Sequence, residues 1–321
     1  MNRRDFINVF AGSLAATFPL RARAQGSARP VVGVLMLGNP DPGFFLHELG
    51  QGLRELGYVE GRNITLELHN AHGSMASLNA LARKLVEIKV DVIVAFQTPS
   101  VAAAKEATSE IPIVMCPAQE PVQMGFVVSF ARPGGNITGM TTGTADLTGK
   151  NLDLIREALP AARRLAAIGN TIDPFHKPFL ESLQAAAPKL GFQLTTVLTP
   201  PDELEAVFAE LAKDGVEVVL VQPSMGREIA AEMALKNRLP LLAPSAEFAR
   251  AGALMAYGAD VGAVYRQSAT FVDKIIKGRK PADLPVELAT KFVLVVNLKT
   301  ANALGITLSP TLLARADEVI E

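Results

Sequence analysis

The chain contains one cysteine and no tryptophan among its 321 residues. A single thiol closes no internal disulfide, so packing and hydrogen bonds must hold the fold. Cys116 ends the apolar run Ile111-Pro112-Ile113-Val114-Met115-Cys116, which points to a buried, inert thiol rather than a nucleophile. The four histidines are His47, His69, His72 and His176. Only His69-x-x-His72 is a close pair, and it lacks the cysteine or His-Glu-x-x-His context of a zinc site. No Gly-x-Ser-x-Gly elbow, phosphate-binding loop or Cys-x-x-Cys occurs. No metal, cofactor or catalytic constellation is therefore expected, and the chain does not read as an enzyme. No basic run exists either, so a nucleic-acid partner is not expected. Past the first two dozen residues, no uncharged stretch reaches the length of a membrane span.

What is present begins with an address. Arg3-Arg4-Asp5-Phe6-Ile7 is a twin-arginine pair followed by apolar residues, an uncharged stretch runs from Asn8 to Leu20, and Ala22-Arg23-Ala24 supplies small residues for cleavage. Residues 1–24 read as a twin-arginine-like signal peptide and the destination as the periplasm. That segment holds four arginines and one aspartate, so its removal takes the formal net charge from −1 to −4.

The remainder alternates short β-rich runs with longer amphipathic ones, the pattern of an α/β fold with parallel sheets. Val31–Leu37, Ile64–Leu68, Val90–Phe96 and Ile111–Cys116 read as strands, separated by helices over Phe44–Leu56, Ala76–Ile88 and Pro99–Glu110. After Leu159-Pro160 the series recurs: strands Leu165–Ile168, Phe192–Leu198, Val216–Val221 and Leu239–Leu242, helices Pro174–Leu190, Glu203–Lys213 and Gly226–Asn237. Leu56-Gly57-Tyr58 answers to Leu190-Gly191-Phe192, and Ile111-Pro112-Ile113 to Leu239-Pro240-Leu241. Two similar α/β lobes follow. In such sheets ligands sit beyond the carboxyl ends of the strands, here in a cleft between the lobes.

The run from Leu284 through Lys291-Phe292-Val293-Leu294-Val295-Val296-Asn297 to Ala301, continued by Leu304-Gly305-Ile306 and by Ala314-Arg315-Ala316-Asp317, resembles the C-terminus of the ABC transporter substrate-binding family that includes tryptophan- and tyrosine-type proteins. Pro133-Gly134-Gly135-Asn136-Ile137-Thr138-Gly139 and Leu254-Met255-Ala256-Tyr257-Gly258 resemble further signatures of that family. The resemblance implies a type I periplasmic-binding-protein fold of two Rossmann-like lobes with three interlobe crossings, near Gly139–Thr142, Leu254–Gly258 and Val286–Lys291. It assigns 25–140 plus 257–287 to the N-terminal lobe and 141–256 plus 288–321 to the C-terminal lobe. It further implies a monomeric solute-binding component that captures a small molecule by hinge closure and docks on an ABC permease. A ligand-sensing subunit for a membrane kinase or chemoreceptor is the alternative.

Strand ends supply the candidate ligand residues. Thr98-Pro99-Ser100 reads as a helix N-cap followed by proline, with Gln97 beside it; Pro223-Ser224 and Asp173-Pro174 do likewise, the latter after Asn170. Free N–H groups at such termini attract a carboxylate. Glu120, and Glu247 after Ser245, are acids placed to hold an ammonium; relatives usually show aspartate where Glu120 stands. Asn39 and Asp41 extend from the first loop, and Phe44, Phe45, Phe96 and Phe175 are candidates to pack on an apolar or aromatic ligand. Paired anion-friendly ends with nearby acids point to an amino acid, with a small organic or aromatic acid close behind.

Overall fold

The computed structural model describes residues 29–38, 42–143 and 147–321. The expected signal peptide, residues 1–24, and the loop candidates Asn39 and Asp41 lie outside the described residues. The first half runs β1 (Val31–Met36), α1 (Pro42–Glu55), β2 (Thr65–Asn70), α2 (Met75–Glu87), β3 (Val92–Phe96), α3 (Gln97–Ala107), β4 (Ile113–Met115) and β5 (Ile137–Thr141). The second half runs α4 (Thr148–Ala158), β6 (Arg164–Asn170), α5 (His176–Ala186), β7 (Gln193–Thr199), α6 (Leu204–Lys213), β8 (Val218–Val221), α7 (Arg227–Lys236), β9 (Leu241–Ala243) and α8 (Ala246–Arg250). The chain closes with β10 (Met255–Ala259), α9 (Val261–Ile276), β11 (Glu287–Leu288), β12 (Phe292–Asn297), α10 (Leu298–Leu304), α11 (Pro310–Ala314) and β13 (Glu318–Ile320).

These strands form two sheets, ordered β11-β5-β4-β3-β1-β2 and β13-β12-β10-β9-β8-β6-β7. Pairing is parallel throughout the first and breaks only at the antiparallel β10–β12 ladder of the second. The central strands are continuous apolar runs because both of their faces are covered. Val32, Val34 and Met36 point into one cluster with Phe45 and Phe271, while Leu35 and Leu37 point into another with Leu78 and Leu85. The second sheet divides the same way, with Leu165 and Ala167 on one side and Ala166 and Ile168 on the other. This period of two is the pleat expressed in packing. The two-lobed α/β fold expected from the alternating pattern is the one observed.

Three crossings join the lobes: from β5 to α4, from β10 back to α9, and from β11 to β12. Tyr257–Ala259 still pair within the second sheet and Leu288 with the first, a few residues past the expected division points. The backbone N–H of Asp260 donates to the Lys291 carbonyl at 2.9 Å, and Lys291 Nζ reaches the Asp260 carboxylate at 2.7 Å, so two crossing segments are tied side by side. On the second lobe, Ile172 packs against the apolar cluster of the first.

Candidate functional site

Carboxyl ends of β1, β3, β6 and β8 converge on a cavity of about 370 Å³ between the lobes. The first lobe contributes Leu37, Gly38, Phe44, His72, Phe96, Gln97 and Tyr265; the second contributes Asn170, Ile172, Ser224, Gly226, Arg227, Ser245, Glu247 and Phe248. The two walls differ in chemistry. The first is aromatic: Tyr265 stands 5.5 Å from Phe96 and 6.0 Å from Phe44 between ring centroids, and buried Phe45 lies 4.9 Å from Phe96 and 5.0 Å from Tyr265. Offset and edge-on rings of this kind fix one another's orientation. His72 and Gln97 hold left-handed backbone, with φ of 49° and 66°. Non-glycine residues accept such strain where surrounding structure imposes it, commonly at ligand sites.

Charge belongs to the second wall. Arg227 opens α7, and its Nε donates to Glu228 at 2.7 Å, leaving its other donors for the cavity. No side chain caps α7, so its first-turn N–H groups add a positive end at the same spot. Glu247 faces the cavity from α8 and pairs with Arg250, which Glu318 holds at 2.7 Å from behind. One cation and one carboxylate thus share a wall, the arrangement that a zwitterion complements.

Buried amides set the loops that carry these groups. The Asn170 N–H donates to Gln222 Oε1 at 2.9 Å, and Gln222 Nε2 donates to Asp173 Oδ2 at 2.7 Å. Asn170 Nδ2 donates to the Ser224 carbonyl at 3.1 Å. Burial raises the pKa of Asp173, against which hydrogen bonds from Ser224, the Phe175 N–H and Gln222 act. The carboxylate therefore anchors the wall from behind.

Of the residues singled out in the sequence, Gln97, Asn170, Ser224, Ser245 and Glu247 lie on the cavity wall. Thr98 and Ser100 do not: both are fully buried in α3. Thr98 is no N-cap, because α3 begins one residue earlier, at Gln97, and its hydroxyl is engaged with Gln119, donating to the side-chain carbonyl and accepting from the backbone N–H at 3.2 Å. Ser224 caps nothing either, since α7 starts at Arg227 after Gly226. Asp173 holds a turn three residues before α5 begins, accepting from the Phe175 N–H at 3.0 Å. Pro188, which lacks an N–H, ends that helix short of the expected Leu190. Glu120 sits off the wall in a turn with φ of 44°. Phe45 and Phe175 are core residues. Arg227, Tyr265 and Phe248 were not anticipated. The strand-end rule, carried three residues past Ser224 to the next helix start, reaches Arg227; nothing in the sequence signals Tyr265, which comes from α9.

Residues 46–320 match the profile of the family described as ABC transporter substrate binding protein. The chain belongs to that family. A tyrosine-binding protein of Clostridioides difficile is 30% identical over 262 residues, covering 79% of this chain and 74% of the relative. Among solved structures, a conserved domain protein from Vibrio cholerae superposes with a TM-score of 0.85 at 26% identity, covering 91% of this chain and all of the other. An ABC domain from Streptococcus pneumoniae in complex with L-Trp gives 0.84 at 23% identity with the same coverage. Substrate-binding proteins of ABC transporters work outside the cytoplasm, bind small-molecule ligands and serve the transporter's permease. In this family member the interlobe cavity has a volume within the usual range for small-molecule sites.

Proposed function

We propose that this substrate-binding protein captures a zwitterionic amino acid with an aromatic side chain and delivers it to an uptake permease. The observation that carries the reading is the division of the cavity: Arg227 and Glu247 on one wall, the rings of Phe44, Phe96 and Tyr265 on the other. Arg227 and the start of α7 hold the carboxylate, Glu247 takes the ammonium, and the first lobe closes its rings over the side chain. The tyrosine-binding relative and the L-Trp complex support this ligand class. Residues 1–24 direct export to the periplasm by the twin-arginine route, and the mature protein acts as a monomer without catalytic activity. The lobes divide close to residues 140, 257 and 287, and closure is a hinge motion about these crossings.

A thermal-shift screen of the mature chain, residues 25–321, tests the proposal. L-Tyrosine and L-tryptophan are expected to raise the melting temperature by mass action while sugars leave it unchanged. A shift with sugars and none with either amino acid sinks the reading.

A further inference from the structure

Tyr265 lies on α9, six residues past the end of β10 and after the chain has crossed back to the first lobe, and its ring forms part of the cavity wall. It is 7% exposed, and its hydroxyl makes no hydrogen bond to any described residue. Among the described residues the fully buried side-chain polar atoms without a partner are Ser100 Oγ and Asn151 Oδ1, so the Tyr265 hydroxyl is not sealed in the core but opens on the cavity that its residue lines. The three phenylalanine rings around Tyr265 hold its ring in that wall, so the hydroxyl is presented to whatever occupies the cavity. Burial raises its pKa, with Cys116 and Glu247 raising it further and Arg227 opposing them. The group is therefore a protonated donor that stands within the fields of both second-lobe charges.

Resting on the amino-acid reading above, we infer that the Tyr265 hydroxyl donates to the ligand's carboxylate from the first lobe while Arg227 holds it from the second. Two donors converging on one carboxylate satisfy it, and Glu247 remains for the ammonium. The ligand's charged head is then shared between lobes. A carboxylate held from both lobes is bound better when the lobes are together, which favours the closed arrangement over the open one.

Tyr265→Phe tests this, since it keeps the ring and its packing and deletes one oxygen. The unliganded variant is expected to melt close to the wild-type temperature, because the ring and its packing are kept and no hydrogen bond to a described residue is lost. Calorimetric Kd values for L-tyrosine and L-tryptophan are expected to weaken about tenfold each, since both carry the same head group. Unchanged Kd values, or a loss confined to one of the two ligands, overturn the inference. So does a lowered melting temperature with undiminished binding, the signature of a structural hydroxyl. Wild-type protein that binds neither probe refutes the amino-acid reading itself, and the inference with it.

Discussion

At the residue scale, the charges in the cavity and the buried thiol make separable claims. Arg227→Gln removes the guanidinium from the start of α7 but leaves the helix its backbone. Hydrogen bonds to charged groups contribute about 1.5–3 kcal/mol, so affinity for L-tyrosine is expected to fall about 10- to 150-fold by calorimetry, with unliganded stability little changed. Cys116 is fully buried, and desolvation pushes its pKa up to about 12, Ser268 pulling slightly the other way. The native thiol is expected to stay inert to Ellman's reagent at pH 8 and to react only on unfolding. Its folded pKa lies above the unfolded value of about 8.5, so the native state holds the proton longer. That contribution is complete below pH 8.5 and is lost as pH rises toward 12. Urea midpoints at pH 8 and pH 10 are expected to differ less in Cys116→Ala than in wild type.

At the element scale, the crossing of α1 and α9 positions the aromatic wall, because Phe44 and Phe45 ride on one helix and Tyr265 on the other. Gly52 makes their close approach possible. A Cβ there would overlap the Arg266 carbonyl and lie 2.9 Å from the Ala269 methyl. Gly52→Ala is expected to cost about 1–3 kcal/mol by overpacking, read from the denaturation midpoint, and to weaken ligand binding by parting the two helices. Element ends show how far local pattern reaches. Gly57 and Gly191, which answer to each other across the two halves, have φ of 88° and 82°, the left-handed conformation that glycine adopts where a helix ends. The start of α3 was misplaced because Thr98 has two possible uses for its hydroxyl. Capping is the local one; the bond to Gln119, 21 residues on, is the one the fold selects.

At the scale of the whole molecule, the cavity exists only because both lobes contribute to it, so ligand and closure must be coupled. Small-angle scattering of the mature protein is expected to show a smaller radius of gyration at saturating L-tryptophan than without ligand. Identical profiles would contradict hinge closure as the response to binding. The Asp260–Lys291 pair and the adjacent backbone bond join two crossing segments, so they constrain the path that closure follows.

The sequence by itself determined the elements and their doubling. Apolar runs such as Val92–Phe96 and Val218–Val221 specify buried parallel strands whatever lies far away, because burial on both faces leaves no place for a polar side chain. It also brought Gln97, Asn170, Ser224, Ser245 and Glu247 to the cavity, since strand ends in this fold class point at the ligand. Only the tertiary structure decided that Thr98, Ser100 and Asp173 lie behind the wall, and that Tyr265 lies on it. Those assignments depend on which partner a polar group meets across the fold and on where α9 lands after crossing back to the first lobe. Local periodicity carries no record of either.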